Sequence, residues 1–427
     1  MKKIVVVGGG FAGVNAVMQL QNVSGFSITL VDKNNYNFFP PLLYQVATGF
    51  LEPSSISYPF RRFLRKMYNV HFRMGDLIEI LPSQNRIRLS NGEVSYDYLI
   101  LATGAESNFF GLENVRRNAL PMKTLSDALS MRNTLLSRLE EASRSENKDV
   151  IKKLVTIVVA GAGPTGVELS GMFAEMRKNI ILKDYPELSG TNAGAIYLID
   201  RTEAVLGPMS EKAQKYSYET LRKMGVIIKL GVGVSDFINN VVTLSDGTTI
   251  TTATLIWTAG VTAKTFEGIR QEVYGRGRRM QVDAFNRIEG YENIFALGDT
   301  CIQTTDPAFP NGHPQLAQVA IQQARCLAGN LKLGLSPEAN WKPFRYNDKG
   351  AMAIIGSHKA VADLNKPKLF FDGIIAWLIW LFIHVMSLLS FHNKLRTLYN
   401  WMGAYFTKDR YFRMIIRPGG QDNAQPK

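Results

Sequence analysis

Cysteine is nearly absent: Cys301 and Cys326 are the only two in 427 residues. Two thiols exclude a disulfide scaffold at this length, and alone they cannot hold zinc or an iron–sulfur cluster. A reducing compartment is the expectation. Histidine is scarce too, and the five present show no metal-ligand spacing. Acidic residues are outnumbered, 36 against 49 Lys and Arg, for a net charge of +13. That balance leaves three partner classes: nucleic acid, an anionic membrane surface or anionic small molecules. The N-terminus lacks a long apolar run. Lys2 and Lys3 precede only residues 4–7 before glycine begins, too short for a signal-peptide core. No short-period repeat or low-complexity tract occurs. Disorder is excluded for most of the chain by 46% hydrophobic and 20% charged content.

What is present suggests two to three domains at ~150 residues each. Short β-rich runs at 4–7, 27–31 and 98–102 alternate with helical patterns. Such alternation predicts an α/β fold with a parallel sheet. A helix is expected from Ser126, with Leu129, Leu135, Leu136 and Leu139 as its apolar stripe. The polar stretch 143–149 reads as a linker. A second block repeats the plan, with strands at 155–160, 196–200, 241–244 and 255–257. The first block resumes near Asn293, with a strand at 294–297. From Trp341 the chain turns aromatic and basic. The boundaries so read are 1–120 with 285–340, then 121–284, then 341–427.

The first glycine turn, Gly8-Gly9-Gly10-Phe11-Ala12-Gly13, has G-x-G-x-x-G spacing between a strand and a helix. Gly8 allows the tight turn and Gly10 lets the backbone approach a pyrophosphate. Gly13 lets helix and strand pack closely. Asp32 ends the next strand, 24 residues after Gly8, where a carboxylate can bind ribose hydroxyls. The second turn runs Gly161-Ala162-Gly163-Pro164-Thr165-Gly166. Its acid, Asp200, stands 39 residues after Gly161. The extra length is assigned to an extended helix and loop through residues 185–192. Asp200 is either a ribose ligand, disfavouring a 2′-phosphate and so NADPH, or a plain strand-end turn residue. Ala102-Thr103-Gly104 and Thr258-Ala259-Gly260 echo each other, and Gly298-Asp299 follows a late strand. Two dinucleotide folds imply two dinucleotides: a held flavin and an exchanging nicotinamide.

These motifs, in this order, resemble the two-dinucleotide flavoprotein superfamily, and within it the type II NADH dehydrogenases, non-pumping NADH:quinone oxidoreductases. Further motifs carry the likeness: Pro41 to Gly49, Gly163 to Leu169, Ala317 to Gln323, Tyr346 to Gly356 and the aromatic tail. The resemblance implies two Rossmann-like domains and a C-terminal membrane-attachment region. It implies that Gly8, Gly10, Gly13, Asp32, Gly104, Asp299 and Gln318 hold FAD. Gly161, Gly163, Gly166 and Asp200 would hold NADH, with Gly260 lining its approach. Thr48, Gln318, Gln322 and Ile355 would face the quinone, and Glu168 and Lys349 would serve catalysis. Asp200 stands where the family often has Glu, and Gln45 replaces a frequent Glu.

Glu168 also has a reading of its own. It lies in the first turns of a helix, whose N-terminus stabilises a carboxylate by ~0.3–1 kcal/mol. Quinone reduction consumes two protons as well as two electrons, and Glu168 could relay one. Lys349, in Asp348-Lys349-Gly350, reads as an ordinary hairpin-turn residue; the resemblance adds a role in neutralising charge near flavin or quinol. Each cysteine reads as a small packing residue. Sulfide:quinone oxidoreductases share the fold but rely on paired cysteines, which leaves that activity as an alternative. A non-catalytic flavin-binding regulator is another.

Residues 373–393 contain no Lys, Arg, Asp or Glu. A run of this length could span a bilayer, which needs ~20 apolar residues. Gly373, Trp377, Trp380, His384 and Ser387 form a less greasy stripe along it. Lys394, Arg396, Lys408, Arg410, Arg413 and Arg417 follow, and a single span would carry them to the outer side, against the positive-inside rule. A second amphipathic segment runs through Leu395, Leu398, Tyr399, Met402, Tyr405 and Phe406. The expectation is monotopic attachment to an anionic cytoplasmic leaflet, without ion pumping and without nucleic acid. A homodimer stays open. Residues 366–427 hold nine Lys and Arg against three Asp, so nearly half the excess charge lies in the tail.

Overall fold

The computed structural model describes residues 1–188, 194–334, 340–407 and 413–416. The chain folds into two compact units. The first comprises Met1–Phe38, Ser57–Glu106 and Val261–Asp348; the second comprises Phe39–Ile56, Ser107–Gly260 and Lys349–Lys427. Residues 261–284, read from the sequence with the second block, lie in the first unit, and 349–416 lie in the second.

In the first unit a five-stranded parallel sheet runs Ile294–Ala296, Tyr98–Leu101, Lys2–Val7, Phe26–Asp32, Val70–Met74. The central strand is apolar on both faces, with Ile4 to Val7 all buried, as a sheet covered on both sides requires. Helix Phe11–Leu20 leaves the end of that strand and packs against helix Ala317–Leu333. Val5, Leu99, Ile294 and Cys301 share one apolar core.

The second unit repeats the plan. Its parallel sheet runs Leu120–Pro121, Thr254–Trp257, Ile157–Ala160, Ile196–Ile199, Val226–Lys229. Helix Pro164–Met176 follows the central strand. The expected strand from Val155 starts later. Asn147 caps a helix Lys148–Val155 by accepting from the N–H groups of Asp149 and Val150, and Ile151 and Leu154 bury its inner face. The expected linker at 143–149 therefore shrinks to residues 144–147. Of the proposed long loop 185–192, residues 189–192 lie outside the described residues.

An antiparallel sheet, Ala351–Gly356, Lys359–Asn365 and Lys368–Asp372, completes this unit with two tail helices, Gly373–Ser387 and Phe391–Thr407. The hairpin expected at Asp348-Lys349-Gly350 is absent. Those residues lead into the first of these strands, and the reversal comes at Ser357-His358, where His358 has φ 61°. The apolar run 373–393 is broken at residues 388–390. Among the described residues no helix is long and apolar enough to cross a membrane.

Candidate functional site

Each unit carries one glycine turn, and the two turns are built alike. Gly8 has φ +102° and Gly161 φ +107°, a region other residues rarely adopt. A Cβ on Gly8 would meet the backbone of Ala102 and Thr103, and one on Gly161 the backbone of Thr258 and Ala259. This explains the echoing Ala-Thr-Gly and Thr-Ala-Gly segments: their backbones lie against the turns. A Cβ on Gly13 would run into the carbonyl of Gly8, and one on Gly166 into that of Gly161. Gly10 and Gly163, by contrast, have nothing within 4 Å of where a Cβ would stand. Each is the N-cap of its helix, and no side chain caps either. Open space beside an uncapped helix start fits a pyrophosphate.

The strand-end acids repeat this symmetry. One Asp32 oxygen accepts from Gly9 N at 2.7 Å and the other from Asn34 N at 2.7 Å. One Asp200 oxygen accepts from Ala162 N at 2.5 Å and the other from Thr202 N at 2.8 Å. Each acid thus ties its strand end to its turn, whatever else it binds. The two readings of Asp200 are compatible, since a carboxylate oxygen can accept twice. Burial pushes the Asp32 carboxyl above its usual range, opposed by the N–H groups of Asn34 and Gly9.

The remaining first-unit residues lie on or beside other elements. Gly104 has φ +70° and open space beside it. Asp299 sits in the turn Gly298–Thr300 and its carbonyl accepts from Gln315 at 3.1 Å. Gln318 and Gln322 lie on helix Ala317–Leu333. Gln322 makes a two-point pair with Asn347: its Oε1 accepts from Asn347 N and its Nε2 donates to Asn347 O, both at 3.0 Å.

The second unit holds Glu168, Thr48, Ile355, Lys349 and Gly260. Gly260 accepts from Asn108 N at 3.0 Å, and the exposed Phe110 ring stands where its Cβ would be. Lys349 is exposed. Thr48 is buried, and its hydroxyl donates to the Tyr44 carbonyl at 2.9 Å, closing helix Leu43–Ala47. Glu168 is also buried, 7% exposed. Burial pushes its carboxyl well above the usual range, opposed only by the N–H of Ile354. Burial, which favours the protonated form, is thus the first influence on Glu168. Tyr44, 2% exposed, is pushed up first by burial. Its hydroxyl accepts from Gln45 Nε2 at 2.9 Å, and Gln45 Oε1 accepts from Trp401 Nε1 at 2.7 Å. That gives Gln45 a role the sequence did not suggest: it joins the site helix to the tail.

Sequence reasoning also missed a seam beside Glu168. A Cβ on Gly171 would strike the carbonyl of Ile355. Glu175 accepts from both the N–H and the hydroxyl of Ser357. Residues 168, 171 and 175 fall at helical spacings of three and four, so one face of helix Pro164–Met176 lies along strand Ala351–Gly356. That spacing was the available signal.

The cysteines are both free. Cys301 is 1% exposed and its thiol is pushed up to about 12 by burial, which makes it inert. Among the described residues no group of His, Cys, Asp and Glu could hold a metal.

A chain with two nucleotide turns, each braced by a strand-end acid, belongs to a defined class. Its residues 2–324 match the pyridine nucleotide-disulphide oxidoreductase family, and residues 349–408 match the NDH2 C-terminal domain. A type II NADH:quinone oxidoreductase of Mycobacterium tuberculosis is 38% identical, over 96% of this chain and 89% of that one. A second from the same organism is 34% identical, over 93% and 86%. The chain belongs to the pyridine nucleotide-disulphide oxidoreductase family, and within it to the type II NADH:quinone oxidoreductases. Its fold is that of NDH2 from Plasmodium falciparum, solved in complex with NADH (TM-score 0.88, 21% identity, 97% of this chain and 100% of that one). It is also that of the sulfide:quinone oxidoreductase from Aquifex aeolicus (TM-score 0.72, 19% identity, 98% and 96%). The fold alone does not separate the two activities; the sequence relatives do, and the sulfide alternative is not favoured.

Proposed function

We propose that this chain oxidises NADH and reduces a quinone by way of bound FAD, with roles distributed as follows. FAD, when bound, accepts a hydride from NADH and releases two electrons to the quinone; the protein binds, orients and shields. Gly8, Gly10, Gly13, Asp32, Gly104, Asp299 and Gln318 hold FAD in the first unit. Gly161, Gly163, Gly166, Asp200 and Gly260 hold NADH in the second. Thr48, Gln318, Gln322 and Ile355 face the quinone. Glu168 keeps a proton for quinol formation, and Lys349 balances negative charge. The observation that supports this most is the repeated turn, with Asp32 and Asp200 bracing Gly9 and Ala162 in the same way.

The tail helices support membrane attachment. The stripe through Trp377, Trp380 and His384 faces inward: Trp377 and Trp380 are buried, and His384 stacks on Trp380 with centroids 3.7 Å apart. Ile374, Ile375, Leu378, Phe382 and Met386 face outward, each more than half exposed. On the next helix Asn393 and Thr397 point inward, while Phe391, Leu395, Tyr399 and Met402 are exposed. An apolar face turned outward suits the acyl region of one leaflet, here the cytoplasmic leaflet, where NADH is. The tail cations contribute less than their number suggests. Arg396 pairs with Glu52 and Arg413 with Asp184; Lys408, Arg410 and Arg417 lie outside the described residues, as does the Phe406 side chain. A homodimer is compatible with this attachment.

An anaerobic titration tests the function. NADH should bleach the yellow protein, and a short-chain quinone should restore its colour. Bleaching by sulfide and not by NADH would sink the reading.

A further inference from the structure

A buried acid–base pair closes the loop ahead of helix Ala317–Leu333. His313 is 1% exposed and Asp306 3%. A carboxylate only accepts, so His313 Nε2–H donates to Asp306 Oδ2, at 3.0 Å. The imidazole is boxed by Phe309, Phe344 and Tyr346, with ring centroids 5.3, 5.1 and 5.9 Å away. Its Nδ1 is buried with no hydrogen-bond partner among the described residues. The His313 carbonyl accepts from Arg279 Nη2 at 2.9 Å. The question is what the pair holds.

It holds the segment that grips Gln322. Asp306 Oδ2 also accepts from Tyr346 N at 3.0 Å, and Oδ1 from Ala308 N at 3.2 Å. Burial would raise the Asp306 carboxyl, but the donors His313, Tyr346 and Ala308 outweigh it and hold it below its usual range. It stays a charged acceptor. The next residue, Asn347, is the one whose N–H and C=O both pair with the Gln322 amide. The order is therefore His313, Asp306, Tyr346, Asn347, Gln322, all inside the first unit.

We propose that His313 and Asp306 are positioning residues for the quinone half-reaction, acting through Asn347 to fix the side-chain amide of Gln322. The inference rests on the reading of Gln322 as a quinone-side residue. His313 touches no substrate. Without its N–H, the Asp306 carboxylate can turn away from Tyr346, and the amide of Gln322 loses its fixed direction.

Both half-reactions of the holoenzyme, followed by stopped flow, test this. His313→Leu removes the donor: the KM for a short-chain quinone should rise about tenfold, the scale of one lost charge-assisted hydrogen bond. Flavin content and NADH-driven bleaching should stay at the wild-type level. His313→Gln keeps an N–H donor and should restore the KM to within about twofold. Asp306→Asn, which keeps the shape, should shift the KM in the same direction should the Leu variant not fold. Hydrogen exchange at the Tyr346 and Asn347 amides should quicken in the Leu variant and not in the Gln variant. Equal slowing of both half-reactions, or loss of flavin, would mark a merely structural pair and overturn the proposal. If Gln322→Ala slows quinone reduction and His313→Leu does not, the inference alone fails. If Gln322→Ala changes nothing, the premise fails with it.

Discussion

Burial pushes the Glu168 carboxyl well above the usual range, so it favours its proton more than an exposed glutamate does. Its folded value lies well above 4.5, first because of burial. Between the unfolded and folded values the native chain binds the proton and the unfolded chain does not. Stability therefore falls as pH rises through that window and is fully present below it. Glu168→Gln removes the dependence. Thermal melts should show the variant gaining on wild type from pH 5 to pH 9, while quinone turnover drops and NADH-driven bleaching does not. A constant difference in melting temperature across that range would show that the group is not held protonated. At this scale much was legible. The glycines and their acids follow from local spacing, because the turn and its helix are contiguous in sequence. The burial of Glu168 was not, since Ile354 and Tyr44 come from distant segments.

The seam between helix Pro164–Met176 and strand Ala351–Gly356 is a property of elements. Glu168, Gly171 and Glu175 meet Ile354, Ile355 and Ser357 in turn. The same helix starts at the second glycine turn, and the same strand carries Ile355. Gly171→Ala must push the Ile355 carbonyl aside, and overpacking of that kind costs about 1–3 kcal/mol. Urea unfolding should show the loss, together with a raised KM for quinone. A variant as stable as wild type would mean that the seam gives way freely. Strands and helices here were read nearly in place. Their errors have causes: Asn147 starts a helix where a linker was expected, and the hairpin sits at Ser357-His358 because the chain leads straight from Asp348 into a strand.

For the whole molecule, the proposed membrane attachment would draw on both the charge of +13 and the outward apolar faces of the tail. Salt screens only the first. Raising salt to 1 M should weaken binding to anionic vesicles without abolishing it, whereas Phe382→Glu with Leu398→Glu should lower bound protein about tenfold even at low salt. Full release by salt alone would mean that the apolar faces stay out of the lipid. The tail's amphipathic character was legible, but the direction of its faces was not. Hydrophobic periodicity separates two faces without saying which one meets the protein, and on the last helix polar side chains do. Asn393 donates to the carbonyls of Ser54 and Ser55, Thr397 donates to that of Ser55, and Asn400 reaches the Ser55 hydroxyl. With the Gln45–Trp401 bond, the last helix is stitched to the segment that bears Thr48. The tail is thus no detachable anchor. Cutting it away to obtain a water-soluble enzyme would strip the partners from those carbonyls and uncover Gln45. A soluble form should instead be sought by repainting Phe391, Leu395 and Tyr399 and leaving the inner stitches whole.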